Sequence, residues 1–366
     1  MKYSDITKLK HLAQDKISRS ANPAVVRNST VFFKNLQELI KQENLVKKGS
    51  KVDFYEYGRA GSQTTIALQN FISDLEGAYR TFLTSTGFGA VALAILSICR
   101  PKDEIIVTDA VYAPTRMITS KLLKEFNVKT HFYNPESLES LQSKINKKTK
   151  MIFVENPGSN TFEFQDLSKI TKIAKKRKII TAIDNTWGTP FFIKPLKIGF
   201  DMSISSATKY LSGHSDVMLG SLAVNKKVFE KVKFCNKLLG YRASPDDAYL
   251  VLRGLRTLDV RLKKHEESTK KIVNFLKTQK KINEILYPYK KGTENYENWK
   301  KYYSGSTGLF SVIIKSKNRN SIYKFINSLK LFGIGQSWGG FESLVLYQSN
   351  VIQRVYKKYI KPNHHI

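Results

Sequence analysis

One lysine of this sequence differs from the others in its surroundings. Lys209 lies in "SATKYLSGHSD", residues 206–216, among hydroxyls, a glycine and a histidine, whereas most other lysines stand in charged runs. An amine attacks a carbonyl carbon only when it is neutral, so a lysine with this chemistry needs a site that disfavours its charge. Taken alone, a lysine after a strand is more often a surface residue. Lys209 is thus a candidate nucleophile that depends on what else the chain brings to it.

A glycine-rich loop is the second candidate feature. In "TSTGFGAVA", 84–92, the glycines precede an apolar helical pattern, and a loop that opens a helix holds phosphate with its backbone N–H groups. Gly87, Gly89 and Ala92 also fit the dinucleotide fingerprint, with Asp109 at a suitable distance. A nucleotide-dependent dehydrogenase and a purely structural turn are open alternatives here.

An aspartate supplies the third feature. Asp184 ends the apolar strand "KIITAID", where a carboxylate needs a cationic or strongly donating partner. A protonated pyridine nitrogen is one such partner; capping of the next helix is the alternative. Together the phosphate loop, the carboxylate and Lys209 fit pyridoxal 5'-phosphate, which needs partners for its phosphate, its ring nitrogen and its aldehyde.

The elements that must position these residues alternate between helical and strand patterns. From residue 64 to 209 the order predicts a mainly parallel sheet covered by helices, and ligands bind beyond the carboxyl ends of such strands. The residues predicted at those ends are Ser85, Thr86, Gly87, Asp109, Tyr112, Glu155, Asn156, Asp184, Asn185 and Lys209.

Changes in composition and in helix and strand patterns predict three regions along the chain. Residues 1–55 are polar and predict an N-terminal arm, 56–250 the large cofactor-binding α/β domain, and 251–366 a smaller α+β domain of long helices and short strands.

The sequence resembles a known family, the pyridoxal-phosphate enzymes of cysteine and methionine metabolism. The resemblance runs from "YEYGRAGSQTTIALQNFISDLEGA" onward, and "SATKYLSGHSD" and "RGLRTLDVRL" are highly specific for it. It implies the aspartate aminotransferase-like transferase fold, fold type I, and an assembly of four copies built as a dimer of dimers.

The resemblance also implies roles for individual residues. Lys209 binds the cofactor covalently, Asp184 pairs with its ring nitrogen, and Tyr112 stacks on its ring and shares the catalytic proton transfers. The groups that hold the phosphate are the backbone of Gly87 and Phe88, the hydroxyls of Ser206 and Thr208, and Tyr57 and Arg59 of a neighbouring subunit. Tyr57, Ser337 and Trp338 are the expected substrate contacts.

Local motifs favour one activity within the family. "NPGSN", "IDNTW" and "SWGG", 337–340, replace versions that are usual in the γ-cleaving enzymes. The implied reaction is β-elimination of L-cystathionine to homocysteine, pyruvate and ammonia, in methionine biosynthesis. Cleavage or synthesis at the γ-carbon is the alternative.

Composition limits the other functions, locations and metal or disulfide sites that the chain could have. The net charge of +31 suggests a basic nucleic-acid-binding protein, but the lysines are spread along the chain, often where a helix ends, so solvated faces are expected instead. No long apolar run or signal-peptide pattern is present, which predicts a cytoplasmic protein without a membrane partner. Cys99 is expected in the core and Cys235 has no predicted role; no metal site is predicted.

The end of the sequence carries a further expectation. Members of the resembled family continue beyond "KKYIKPNHHI" into a strand that bears an arginine for the substrate's α-carboxylate, so the chain is expected to be incomplete or impaired. Arg354, in the helical pattern "VIQRVYKKY", does not match that motif.

Overall fold

The computed structural model describes residues 3–13, 19–47, 55–316, 318–348, 352–356 and 364–366. Its centre is a seven-stranded sheet in the order β1-β7-β6-β5-β4-β2-β3. The strands are β1 Arg80–Thr84, β2 Glu104–Thr108, β3 Lys129–Tyr133, β4 Thr149–Glu155, β5 Ile180–Asp184, β6 Met202–Ser206 and β7 Gly220–Val224. Only β7 runs antiparallel to its neighbours β1 and β6, so the mainly parallel sheet predicted from the sequence is confirmed.

Helices cover both faces of this sheet. The described part of the first 255 residues contains the helices α1 Asp5–His11, α2 Leu36–Lys47, α3 Gln63–Glu76, α4 Gly87–Ile98, α5 Ala113–Met117, α6 Leu123–Glu125, α7 Leu138–Gln142, α8 Leu167–Lys176, α9 Thr189–Phe192, α10 Pro195–Ile198, α11 Phe229–Leu239 and α12 Pro245–Leu255. A π-helical turn, Ile118–Leu122, joins α5 to α6.

The central strands and α4 are apolar because both of their faces are enclosed. Every residue of β2 and the stretch Met151–Val154 of β4 are buried, as expected for parallel strands between two helical layers. Helix α4 is almost wholly buried between the sheet and α11. Cys99, at the end of α4, lies in this core as predicted, and Cys235, for which no role was predicted, is also buried.

The carboxyl-terminal part adds long helices and a small sheet. Its described residues form α13 Leu258–Leu276, β8 Ile282–Leu286, α14 Glu294–Tyr302, β9 Ser311–Lys315, α15 Arg319–Asn327, β10 Gly333–Ile334, β11 Leu344–Val345 and β12 His364–His365. Strands β12, β9 and β8 form one antiparallel sheet, and β10 pairs with β11. The larger hydrophobic cluster contains Leu9, Leu68, Leu255 and Ile366, so it connects all three predicted regions, whose boundaries stay predictions.

One predicted element is wrong within the described residues. Residues 352–356 are extended or bent and form no helix, although "VIQRVYKKY" has a helical pattern. The reason is a set of long-range contacts: the backbone N–H groups of Val355 and Tyr356 both bind the carboxylate of Asp109. No described helix is long and apolar enough to cross a membrane.

Candidate functional site

A cradle of small residues lies where β1 ends and α4 begins. Thr86 caps α4 by accepting the N–H of Gly89, which leaves Gly87 and Phe88 in the first turn, where a helix has no carbonyl partners of its own. A Cβ at Gly87 would lie 2.4 Å from Ser206 Oγ, so glycine is required for the close approach of these two residues. The cradle therefore presents N–H groups and a hydroxyl at a helix N-terminus, which suits a phosphate group.

Thr208 lies on the next turn of chain and is already engaged. Its Oγ1 accepts the N–H of Leu219 at 3.0 Å and lies 3.3 Å from the Leu219 carbonyl oxygen. This places the hydroxyl beside β7, but its predicted contact with phosphate stays a prediction.

Asp184 lies at the carboxyl end of β5, and its neighbours fix its carboxylate. Its Oδ1 accepts the N–H of Thr186 at 3.0 Å and the Thr186 hydroxyl at 2.6 Å; the same hydroxyl oxygen accepts the N–H of Ser206. The next helix begins only at Thr189, so the helix-capping alternative is wrong. Burial raises the pKa of Asp184, and the two bonds from Thr186 oppose that shift.

No ion pair among the described residues includes Asp184. A buried carboxylate of this kind gains from a cation placed against its second oxygen. The protonated nitrogen of a pyridine ring is such a cation, and the site therefore fits the predicted cofactor on this side.

Tyr112 lies beside this carboxylate, at the start of α5. Its backbone N–H donates to Glu155 Oε2 at 2.6 Å, and its side chain is 47% exposed. Burial raises the pKa of its hydroxyl, with smaller contributions in the same direction from the carboxylates of Glu155 and Asp184. Tyr112 thus lies beside Glu155, which pairs with Asp184 across the carboxyl ends of β4 and β5.

Lys209 follows β6 and contacts the small carboxyl-terminal region. Its Nζ donates to Ser337 Oγ at 2.9 Å and lies 5.4 Å from the centre of the Trp338 ring. Burial lowers the pKa of Lys209, and the carboxylate of Glu342 opposes the shift. A partly buried amine with a lowered pKa is more often neutral, as a nucleophile or a proton acceptor must be.

The turn that carries Ser337 is held close to the lysine by glycines. Gly339 has φ +85°, and a Cβ there would lie 2.9 Å from the backbone nitrogen of Tyr210. Any other residue at this position would be strained and would push the turn away from Lys209. Ser337 and Trp338 thus lie beside Lys209, and their predicted contact with substrate stays a prediction.

Tyr57 and Arg59 lie elsewhere on the same chain. Tyr57 forms an isolated bridge with Thr30, and the Arg59 guanidinium is 5.9 Å from the centre of the Tyr57 ring. Arg59 Cδ also approaches Gly240, at the end of α11. In the described part of the chain neither residue contacts Lys209, Asp184 or Gly87. Their predicted role at a neighbouring subunit's site stays a prediction.

Sequence reasoning missed the contacts of Arg354. Its Nη2 donates to the carbonyl of Ser159 at 2.7 Å and to Thr161 Oγ1 at 2.9 Å, which places a guanidinium beside the loop that follows β4. Burial lowers the pKa of Arg354, and Glu163, Asp109 and Glu155 oppose the shift. No short-range signal marks this contact, because the two segments lie far apart in sequence.

Asp109 does not have the dinucleotide-binding role that its distance from the glycine-rich loop suggested. It is fully buried, its Oδ1 pairs with Arg116, and its Oδ2 holds the backbone at Val355 and Tyr356. A nucleotide-binding dehydrogenase needs that carboxylate free to bind a ribose, so the structure removes the main support for that alternative.

Comparison with known proteins agrees with this geometry. Residues 7–362 match the model of the family described as Cys/Met metabolism PLP-dependent enzyme. A protein of Rhizobium johnstonii that bears a cystathionine beta-lyase name is 38% identical, over 93% of this chain and 85% of its own. The cystathionine beta-lyase of Haemophilus influenzae is 34% identical, over 89% of this chain and 82% of its own.

A solved structure extends the likeness to three dimensions. Cystathionine gamma synthase of Xanthomonas oryzae pv. oryzae, crystallised with aminoacrylate and cysteine, superposes with a TM-score of 0.88 at 26% identity and covers 96% of this chain and 88% of that one. The type I fold expected of the cofactor-binding domain is thereby confirmed, as is the predicted cofactor. The chain therefore belongs to the pyridoxal-phosphate-dependent enzymes of cysteine and methionine metabolism.

Proposed function

We propose that this enzyme cleaves L-cystathionine between its β-carbon and sulfur, giving homocysteine, pyruvate and ammonia with the uptake of one water. The observation that carries the proposal is the contact of Lys209 Nζ with Ser337 Oγ, beside the Trp338 ring. It puts the "SWGG" turn, one of the motifs that favour β-cleavage, directly against the amine. Relatives named for the same activity support the assignment. Homocysteine release gives the reaction its proposed place in methionine biosynthesis.

The residues of the chain divide the work between them. Bound pyridoxal phosphate would supply electron withdrawal from the substrate's α-carbon. Asp184 would keep a proton on the ring nitrogen, and the cradle of Gly87, Phe88 and Ser206 would hold the phosphate. Neutral Lys209 would take the α-proton, and Lys209 or Tyr112 would return a proton to the departing sulfur.

Cleavage at the γ-carbon is the second candidate, since the superposed solved structure is a gamma synthase. The two reactions differ in the keto acid that they form from L-cystathionine: pyruvate after β-cleavage and 2-oxobutyrate after γ-cleavage. Trp338 is the residue proposed to bias the outcome. Its ring packs against Tyr210, so a purely structural role is the competing explanation.

The test is product analysis on the purified protein. With L-cystathionine we expect pyruvate and homocysteine in equal amounts, loss of both in Lys209→Ala, and full activity in the surface control Lys226→Ala. Trp338→Leu should lower the ratio of pyruvate to 2-oxobutyrate. A yield of 2-oxobutyrate that exceeds the yield of pyruvate in the unaltered protein would refute β-cleavage, and an unchanged ratio in Trp338→Leu would assign Trp338 to packing alone.

A further inference from the structure

Two carboxylates stand side by side at the carboxyl edge of the sheet. Glu155 ends β4 and Asp184 ends β5, and the two residues are direct partners in the parallel register. Side chains alternate between the two faces of a strand, so registered partners on neighbouring strands project to the same face. Both residues are part-buried. Of these two carboxylates, only Asp184 is predicted to bind the cofactor, through its ring nitrogen.

Glu155 has a second contact that ties it to the site. Its Oε2 accepts the backbone N–H of Tyr112 at 2.6 Å. Tyr112 precedes α5 and makes no side-chain cap of its own, so Glu155 satisfies an N–H group that the helix leaves free. The bond fixes the backbone from which the Tyr112 ring extends.

The charges around Glu155 come from four segments. Asp184 on β5 and Glu163 in the loop after β4 are carboxylates, Tyr112 donates its N–H, and Arg354 is the nearby cation. Burial is the main cause that raises the pKa of Glu155 well above its ordinary value, and Asp184 acts in the same direction; the Tyr112 N–H and Arg354 oppose them. Two like charges in one enclosed site do not both ionise readily.

We propose that Glu155 is a positioning residue with two effects: its hydrogen bond sets Tyr112 against the cofactor ring, and its carboxyl keeps a proton beside Asp184 until the ring nitrogen binds. The proposal rests on the assignment of Asp184 to that nitrogen. A cation bound at Asp184 would offset the negative charge that disfavours ionisation of Glu155, so cofactor binding would drive a proton from Glu155. By linkage, the affinity for the cofactor then rises with pH through the titration of Glu155.

The test uses the full chain, stripped of bound cofactor and titrated again with pyridoxal phosphate. Proton release is measured by calorimetry in buffers of different ionisation enthalpy, and the orientation of the ring by the circular dichroism of the bound chromophore. Glu155→Gln keeps an oxygen for the Tyr112 N–H but has no proton to lose, whereas Glu155→Ala loses both functions.

Glu155→Gln should release fewer protons on binding than the unaltered chain, because ionisation of the cofactor itself is common to both. It should keep the dichroism of the bound ring. Glu155→Ala should change the dichroism and weaken binding by about five- to tenfold, the loss expected for one enclosed hydrogen bond. Glu104→Gln is the matched control: this carboxyl is well bonded, by His131 and Asn146, but lies at the opposite edge of the sheet.

Two outcomes would overturn the inference alone: equal proton release by Glu155→Gln and the unaltered chain, or equal dichroism and affinity in Glu155→Ala and the unaltered chain. The variant Asp184→Asn distinguishes these two outcomes from a failure of the assignment of Asp184 to the ring nitrogen. If Asp184→Asn binds the cofactor as tightly as the unaltered chain, both the assignment of Asp184 and the inference about Glu155 are wrong.

Discussion

At the scale of single residues, Lys209 combines two opposed influences. Its partly buried position favours the neutral amine, while the carboxylate of Glu342 favours the charged one. Glu342 is itself anchored, since the Ser215 hydroxyl donates to its Oε1 at 2.6 Å. Glu342, which favours the charged form of Lys209, is thus hydrogen-bonded to the loop that follows Lys209. Glu342 and that loop should therefore move together.

Glu342→Gln tests this balance. Removing the negative charge should lower the pKa of Lys209, so a larger fraction of the amine is neutral at any given pH. The measurement is the pH dependence of Lys209 acetylation by an amine-selective reagent, followed by mass spectrometry in cofactor-free chain. The midpoint should move to lower pH, and Glu267→Gln, on the exposed side of α13, should leave it unchanged. A midpoint that stays in place or rises would contradict the role of Glu342.

At the scale of elements, a buried carboxyl connects α3 to the strand that leads to Lys209. Glu76, at the end of α3, accepts the Ser203 hydroxyl at 2.9 Å, and Ser203 belongs to β6. Burial raises the pKa of Glu76 to about 7, with Ser203, Lys194 and Asn185 opposing the shift. Its proton is therefore part of the packing between helix and sheet.

The stability of the chain should depend on that proton. In the unfolded chain Glu76 ionises near its ordinary value, so between about pH 4.5 and pH 7 the folded state holds more protons and loses stability as pH rises. Glu76→Gln keeps an acceptor for Ser203 but cannot ionise. The free energy of unfolding of Glu76→Gln, minus that of the unaltered chain, should therefore increase as the pH rises over this range. The increase should be at most about 3 kcal/mol.

Urea denaturation at pH 5 and pH 8 measures this difference. The exposed Glu125→Gln serves as the control, since it should change stability equally at both values. A difference between Glu76→Gln and the unaltered chain that does not vary with pH would show that Glu76 is ionised, or paired, throughout.

The sequence predicted the helices and strands up to Lys209 from their periodicity, and the strand-end residues followed from the sheet type. It missed the place of β7, because the pairing of Arg80 with Val224 joins segments that share no local pattern. It also missed Arg354, whose helical pattern yields to contacts with Ser159 and Thr161. Local propensity is a weak guide where tertiary bonds compete with it.

At the scale of the whole molecule, the rim of the site is apolar and open. Phe88 in the cradle, Tyr112 beside Glu155 and Met218 beside Thr208 are 39%, 47% and 57% exposed. Tyr57 is also 48% exposed and forms an isolated bridge with Thr30. Exposed apolar side chains around a site suit the proposal that a second copy covers it and contributes Tyr57 and Arg59.

Mixed oligomers test this shared site. Tyr57→Phe and Arg59→Ala should each loosen the cofactor, and mixing either with Lys209→Ala should restore part of the activity, because some interfaces then contain one intact site. Mixing Lys209→Ala with Asp184→Ala should restore none, since both residues come from one chain. Unfolding and refolding the mixtures together forms the hybrids, and turnover of L-cystathionine is measured. Equal results for the two kinds of mixture would exclude a shared site.

The antiparallel strand β7 also has a consequence for the order in which the protein forms. The glycine at its start leaves room for the backbone of Thr86, since a Cβ at Gly220 would lie 2.2 Å from the Thr86 carbonyl oxygen. The phosphate cradle is thus braced by a strand that the ribosome makes well over a hundred residues later. Closing so long a loop is slow compared with forming local helices. During synthesis, β1 and the loop at Thr86 therefore lack their contacts with β7 until Val224 has left the ribosome.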